Sequence, residues 1–291
     1  MSVDSSSLAQ PRRRTLRLSA SVSRYFNAFK TARGIVALVL IVALTAVAFL
    51  APVLFPEGYD VQSADALSPP SLAHPFGTDE VGRDIFTRAI YGLRTDLTLV
   101  YTAVPLVMVL GTSLGLIGAV SPRIGDWVQR GLDVIVGFPS LILGICVVLL
   151  LGPGWLALFV AIVIYGLPSF GRLARVTLLQ QEQREYVLAA RTVGVGKWTV
   201  MVRHILPNAI DPMIVQGAVF VVAAIFIEAG LSIVGLGIQA PQPSLGTLLN
   251  VGMRHVHQAP YYVVGPMLIL LLLAFAFSLL ADALNETVNR K

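Results

Sequence analysis

Apolar runs close to the roughly 20 residues a helix needs to cross a bilayer core alternate with short polar segments along most of this chain. They occupy residues 34–55, 97–120, 132–151, 155–170, 212–236 and 262–284. The fourth run is short and closes near Pro168. Gly152-Pro153-Gly154 reads as a tight turn between the third and fourth runs. Asp211 reads as an N-cap with Pro212 at the first helical position, so the fifth run should begin there. The pattern predicts an all-α membrane protein with six transmembrane helices. Its parts are a tail over 1–30, a first span over 31–56, an outer segment over 57–96, a core over 97–285 and a short tail over 286–291. The core carries a polar loop over 171–211 between spans four and five.

Composition agrees with lipid as the main solvent. Of the 291 residues 56% are hydrophobic and 13% charged, about half the charged share of a soluble globule. The single cysteine, Cys146, excludes an intrachain disulfide and a Cys-based metal site. The net charge of +5 reads as membrane anchoring, and no nucleic-acid partner is expected. If six spans alternate, the tail with Arg12, Arg13, Arg14, Arg17, Arg24, Lys30 and Arg33 falls on one side. The loops with Arg123 and Arg130, and with Arg172, Arg175, Arg184, Arg191, Lys197 and Arg203, fall on that side too, as do Arg290 and Lys291. Of the 21 basic residues only Arg83, Arg88, Arg94 and Arg254 lie opposite. The positive-inside rule then places both termini in the cytoplasm. Ala46-Val47-Ala48 has the form of a signal-peptidase site, but the apolar run continues to Phe55, so an uncleaved anchor is expected.

The outer segment has its own pattern. Thr78 can cap a helix with Asp79 and Glu80 in its first turn, and Val81, Ile85 and Ala89 then share a face beside Phe86 and Ile90. Asp79, Arg83 and Asp84 are expected to pair in solvent at helical spacing. Several sites tempt and fail. Gly194-Val195-Gly196-Lys197 lacks a phosphate loop's other requirements, because Arg191 stands where the first glycine belongs and Trp198 where Ser or Thr belongs. Gly235-Leu236-Gly237-Ile238-Gln239-Ala240 follows a membrane span rather than a strand. His255 and His257 have no evident third ligand and read as an outer loop. No catalytic site and no metal site is assigned. Glu228 lies inside span five, where a carboxylate faces a cavity or a partner. With Ser232 it marks either the translocation path or gate, or a hydrogen bond at a helix interface. Gly111 and Gly115 in span two form a small-residue face for packing within the bundle.

The polar loop is the chain's anomaly. Tyr186, Ala189, Ala190 and Val193 recur at helical spacing, Gly194 can take the left-handed position that ends a helix, and Gly196 and Lys197 open a second short segment that Pro207 closes. A helix–turn–helix elbow follows, with a face that admits close packing of another protein.

These residues resemble a family. Ala189, Ala190, Gly194, Leu206 and Pro207 fit the loop of ABC importer permeases, with Leu188 in place of its glutamate and His204 in place of its isoleucine. Tyr186 through Gly194 and His204 through Asn208 resemble the dipeptide/oligopeptide/nickel branch closely. His74 through Asp79, Gly82-Arg83-Asp84, Tyr91-Gly92, Glu228 through Ser232, Gly235-Leu236-Gly237, Pro241 through Ser244 and Ala281-Asp282 resemble its C-type subunit. The resemblance covers about residues 30 to 285.

That resemblance implies a type I, MetI-like fold in the cytoplasmic membrane and one half of a translocation pathway. The loop is then a coupling helix, with Glu185, Tyr186, Ala189, Ala190, Arg191, Gly194, Val195, Lys197 and Pro207 engaging a cytoplasmic ATPase. Ala189, Ala190, Arg191, Gly194 and Val195 form its docking surface. Thr78, Asp79, Gly82, Arg83 and Asp84 are assigned to packing near the outer gate or to binding-protein contact. The implied partners are a homologous B-type permease subunit, two ATP-binding subunits and an extracytoplasmic solute-binding protein. ATP and Mg belong to the ATPases, and this chain carries no cofactor. The implied cargo is di- or oligopeptides, with nickel chelates, glutathione or oligosaccharides as alternatives. A secondary transporter or channel is the rival class, and it lacks inverted repeats and further intramembrane charges here.

Overall fold

The computed structural model describes residues 28–289. The arginines of the 1–27 tail, and Arg290 and Lys291, lie outside the described residues. The regular elements of the described residues are helical: α1 (Ala32–Phe49), α2 (Ala51–Leu54), α3 (Ile85–Val120), α4 (Pro122–Val136), α5 (Ser140–Leu151), α6 (Trp155–Glu182), α7 (Glu185–Thr192), α8 (Lys197–Val200), a π turn (Met201–Ile205), α9 (Leu206–Ile233), α10 (Leu245–Arg254) and α11 (Tyr261–Asn289). Among the described residues the extended pairing is one isolated bridge, Thr78 with Asp84. Among the described residues five helices, α1, α3, α6, α9 and α11, are long and apolar enough to cross a membrane. The pair α4 and α5 makes a sixth crossing only if counted as one span, because it bends by 94° over a short break.

The core forms where small residues let helices meet. A Cβ placed on Gly111 of α3 would stand 2.5 Å from the Phe170 Cβ of α6, and one on Gly115 would stand 2.5 Å from the Ala174 Cβ. The small face of span two therefore packs inside the bundle, as its spacing predicts. Gly166 of α6 likewise lies under the Phe220 ring of α9. Around these contacts Leu93, Leu97, Leu158, Ile162, Phe170, Ala224 and Leu273 are fully enclosed. By contrast, Val39, Val42, Leu149, Leu150 and Phe275 stand more than half exposed, the pattern of surfaces solvated by lipid or a partner helix.

Several boundaries differ from the sequence expectation. The second run is the inner part of one 36-residue helix, α3, which starts at Ile85. At 1.5 Å per residue it is about 54 Å long, so it projects beyond a core about 30 Å thick. The third run is the broken pair, with Pro139 at the bend. The fourth does not stop near Pro168; α6 continues to Glu182, with Pro168 buried between neighbouring helices. Membrane helices tolerate such a proline because their neighbours satisfy the freed backbone groups. The fifth does not begin at Asp211-Pro212, which are interior to α9. Nor does Pro207 end a segment. It sits in the first turn of α9, where its missing N–H is an orphan anyway. The 152–154 turn stands as expected, with Gly152 at φ 81° and Gly154 at φ 139°.

Candidate functional site

The polar loop between α6 and α9 builds the elbow from a short helix and a sharp stop. Arg184, in extended conformation, precedes α7, which has Glu185 in its first turn and Arg191 in its last, each sign suited to its end of the helix dipole. Gly194 ends the helix at φ +82°. The Val195 N–H donates to the Ala190 carbonyl at 3.1 Å and the Gly194 N–H to the Arg191 carbonyl at 3.0 Å. That doubled closure is a Schellman stop, which needs the left-handed residue glycine supplies. Arg191 also pairs with Glu182 at 3.1 Å, and the Tyr186 hydroxyl donates to Gln181 Oε1 at 2.8 Å. Both contacts tie α7 back to the end of α6.

A small apolar cluster anchors the elbow. Val187 is fully buried with Ala174 and Leu178 of α6, Val200 of α8, Met201 and Ile205 of the π turn, and Ala209 and Met213 of α9. Tyr186, Ala190 and Val195 pack on its edge. The expected face of Tyr186, Ala189, Ala190 and Val193 is thus divided. Tyr186 and Ala190 turn inward, while Ala189 and Val193 turn outward. Of the expected docking residues, Ala189, Arg191 and Gly194 are on the surface, and Ala190 and Val195 are half-buried. Lys197 begins α8, and Pro207 lies beyond the π turn. Val193, expected on the packing face, is 82% exposed, and sequence reasoning missed two further exposed apolar residues, Leu188 at 51% and Trp198 at 58%. The sequence does carry a signal, since Leu188 replaces a glutamate and Trp198 breaks the phosphate-loop pattern.

The segment over 55–84 lies at the other end of α3. Thr78, Asp79, Gly82, Arg83 and Asp84 do come together, in a turn rather than a helix. Asp84 caps α3, its Oδ2 accepting from the Thr87 N–H at 2.8 Å. Asp79 is no solvated partner. It is fully buried, and its Oδ1 accepts from the Val81 and Arg83 N–H groups at 3.0 and 2.9 Å. Its Oδ2 pairs with Arg83 Nε at 2.6 Å and lies 3.5 Å from Arg88 Nε. Arg83 also reaches Asp60 at 3.0 Å and Glu80 at 3.4 Å. Burial works against the Arg83 charge, but the hydrogen bonds to Asp79 and Asp60 and the nearby acids outweigh it and raise its pKa above the ordinary value. Tyr262 Oη donates to Glu80 at 3.0 Å and Tyr261 Oη to the Leu67 carbonyl at 2.6 Å, fastening the segment to α11. A Cβ on Gly77 would stand 2.5 Å from the Ser68 carbonyl oxygen, so the fold of the segment requires glycine there.

Glu228 and Ser232 form a third, separate place. Both are buried within the chain on α9, and Ser232 Oγ donates to Glu228 Oε1 at 2.7 Å. His255 is half-buried and stacks on Tyr262 with ring centroids 6.4 Å apart. Among the described residues no three ligating side chains gather as for a metal ion.

The comparisons with known proteins converge. The family model described as binding-protein-dependent transport system inner membrane component matches residues 111–291. The dipeptide transport system permease protein DppC of Alkalihalophilus pseudofirmus is 35% identical over 277 residues, covering 93% of this chain and 91% of the relative. The glutathione transport system permease protein GsiD of Pectobacterium atrosepticum is 36% identical, covering 86% and 84%. The DppC of Bacillus subtilis is 35% identical, covering 87% and 80%. Among solved structures, the inward-facing methionine ABC transporter MetNI matches with a TM-score of 0.56 at 17% identity, over 70% of this chain and 97% of that one, which fixes the fold as MetI-like. With its membrane-crossing helices, its elbow and relatives matched along nearly its whole length, the chain belongs to the inner-membrane permease components of binding-protein-dependent transport systems.

Proposed function

We propose that this chain forms half of the translocation pathway of an ATP-driven importer of di- or oligopeptides, with α7 as the helix through which cytoplasmic ATPases act. The single observation that carries this reading is the elbow's construction. Val187 locks it into the packing of α6 and α9, while Leu188, Ala189, Val193 and Trp198 face outward. A rigid body tied to two spans transmits a push to both, as a floppy loop does not. Apolar side chains at the head of a polar loop suit a partner's groove better than water. Two ATP-binding subunits supply ATP and Mg chemistry, this chain being the non-catalytic lever. A homologous B-type permease completes the path and a solute-binding protein delivers the cargo. Both termini and the elbow lie in the cytoplasm, where the basic loops collect, and the 55–84 segment faces out. The peptide cargo rests on the two DppC relatives, while the GsiD relative keeps glutathione, itself a peptide, within the same class.

Ala189→Asp tests the reading, because Ala189 is exposed and its replacement disturbs no packing of this chain. The reconstituted complex should keep its assembly and basal melting temperature and lose cargo-stimulated ATP hydrolysis and uptake. Wild-type stimulation in that variant would overturn the assignment. Ala190→Asp is the poorer probe, since Ala190 packs against the anchor cluster.

A further inference from the structure

Three elements meet in a buried seam that transport by the elbow does not use. The N-terminus of α10 is wedged between α3 and α9. A Cβ on Gly92 of α3 would stand 3.0 Å from the Ser244 carbonyl carbon and 3.1 Å from Leu245 N. On the far side, a Cβ on Gly246 would stand 2.6 Å from the Ser232 Cβ and 2.9 Å from the Ala229 Cα. Into this seam α3 delivers Asp96 and α9 delivers Glu228, exposed by 2% and 1%. Asp96 Oδ2 accepts from the Leu245 N–H at 3.1 Å, in the first turn of α10. Glu228 Oε1 accepts from Ser232, and Ser244 lies beside the same carboxylate. The remaining oxygens, Asp96 Oδ1 and Glu228 Oε2, are buried with no hydrogen-bond partner.

No cation answers these two acids among the described residues. On α3, Arg88 turns to Asp79 and Arg94 lies over the Phe49 ring at 6.0 Å. On α10, Thr247 bonds Ser244, and Arg254 bonds Asn250 at 3.1 Å. On α11, Tyr262 bonds Glu80. Beyond Pro212, α9 carries no ionisable residue except Glu228, and α5 carries no charged one. Both acids converge on adjacent residues of α10, Asp96 on the Leu245 N–H and the Glu228–Ser232 turn of α9 on Gly246. Burying an ion in a low-dielectric interior costs several kcal/mol even after relaxation, and like charges side by side disfavour double ionisation. A protonated carboxyl gains a donor, so a proton on one acid removes a buried charge and supplies the seam with the donor its orphaned oxygens lack.

We propose that Asp96 and Glu228 hold a single proton between them, making the seam of α3, α9 and α10 a proton-binding site that clamps the start of α10 into the bundle. The pair titrates as a unit. Loss of the proton leaves two like charges in an apolar seam, so the clamp loosens as pH rises. The identity of the cargo does not enter.

Infrared spectroscopy of the assembled transporter in lipid tests this. The wild type should show a protonated-carboxyl C=O band at neutral pH that is absent from the Asp96→Asn, Glu228→Gln double variant. Each single variant should shift the band, because the proton's partner changes from a carboxylate to an amide. Raising the pH should remove the wild-type band and lower the melting temperature together. A wild-type spectrum identical to that of the double variant would overturn the proposal, and this includes the case of a metal cation bridging two ionised carboxylates. If the double variant does not assemble, a band unmoved in both single variants would overturn it equally.

Discussion

The two ends of the molecule treat charge and apolar surface in opposite ways. In the 55–84 segment a carboxylate with no exposure, Asp79, is enclosed by two arginines and two backbone N–H groups, and the whole is stitched to α11 through Tyr261 and Tyr262. At the elbow the charges Arg191 and Glu182 pair near the surface, while Leu188, Val193 and Trp198 stand exposed above the buried Val187. The first region has met the hydrogen-bonding needs of its central acid within the chain. The second has anchored itself and left its apolar surface unanswered. An end that buries its ions is built for rigidity, and one that exposes its hydrophobes is built for a partner.

Breaking the buried network should have the largest effect on folding. Asp79→Ala leaves Arg83 and Arg88 without the buried acid between them, with only the half-exposed Asp60 in reach of both, at about 3–5 kcal/mol, read as a large fall in melting temperature and in membrane yield. Gly194→Ala comes next. Open space surrounds the site, so the penalty is that of a left-handed non-glycine residue alone, about 1–2 kcal/mol. Local amide exchange in α7 should rise while the rest of the bundle is unchanged. Ala189→Asp should alter stability by under about 1 kcal/mol and yet abolish stimulated hydrolysis. That separation of stability from coupling sharpens the contrast between the ends. Trp198→Ala should do least to the fold, within about 0.5 kcal/mol, with weakened binding of the isolated ATP-binding subunit as its measurable trace.

Long apolar runs made most of the spans legible in the sequence, because lipid leaves a helix no other way to satisfy its backbone. What failed were the ends, where prolines misled. Pro168, Pro207 and Pro212 have the local signature of stops or starts, but packing from neighbouring helices overrides it. The turn at 78–84 has the sequence of a helix start, because Thr78, Asp79 and Glu80 imitate a capped first turn. The true cap is Asp84, and its bond to Thr87 was hidden by the stronger-looking pattern upstream. At the elbow, periodicity located α7 and Gly194 ended it as expected. Periodicity could not divide the helix into an anchored and an exposed side, since that depends on α6, the π turn and α9 coming beneath it. The Asp96–Glu228 seam joins residues far apart in the chain and has no local signature at all.

The central claim is that the exposed side of α7 is covered by an ATP-binding subunit. It is tested most directly by labelling Ala189→Cys with a bulky maleimide, with the exposed Cys146 replaced by serine. The account predicts rapid labelling of the permease alone and strong protection once the ATP-binding subunits are bound. Labelling at the same rate in their presence and absence would contradict it.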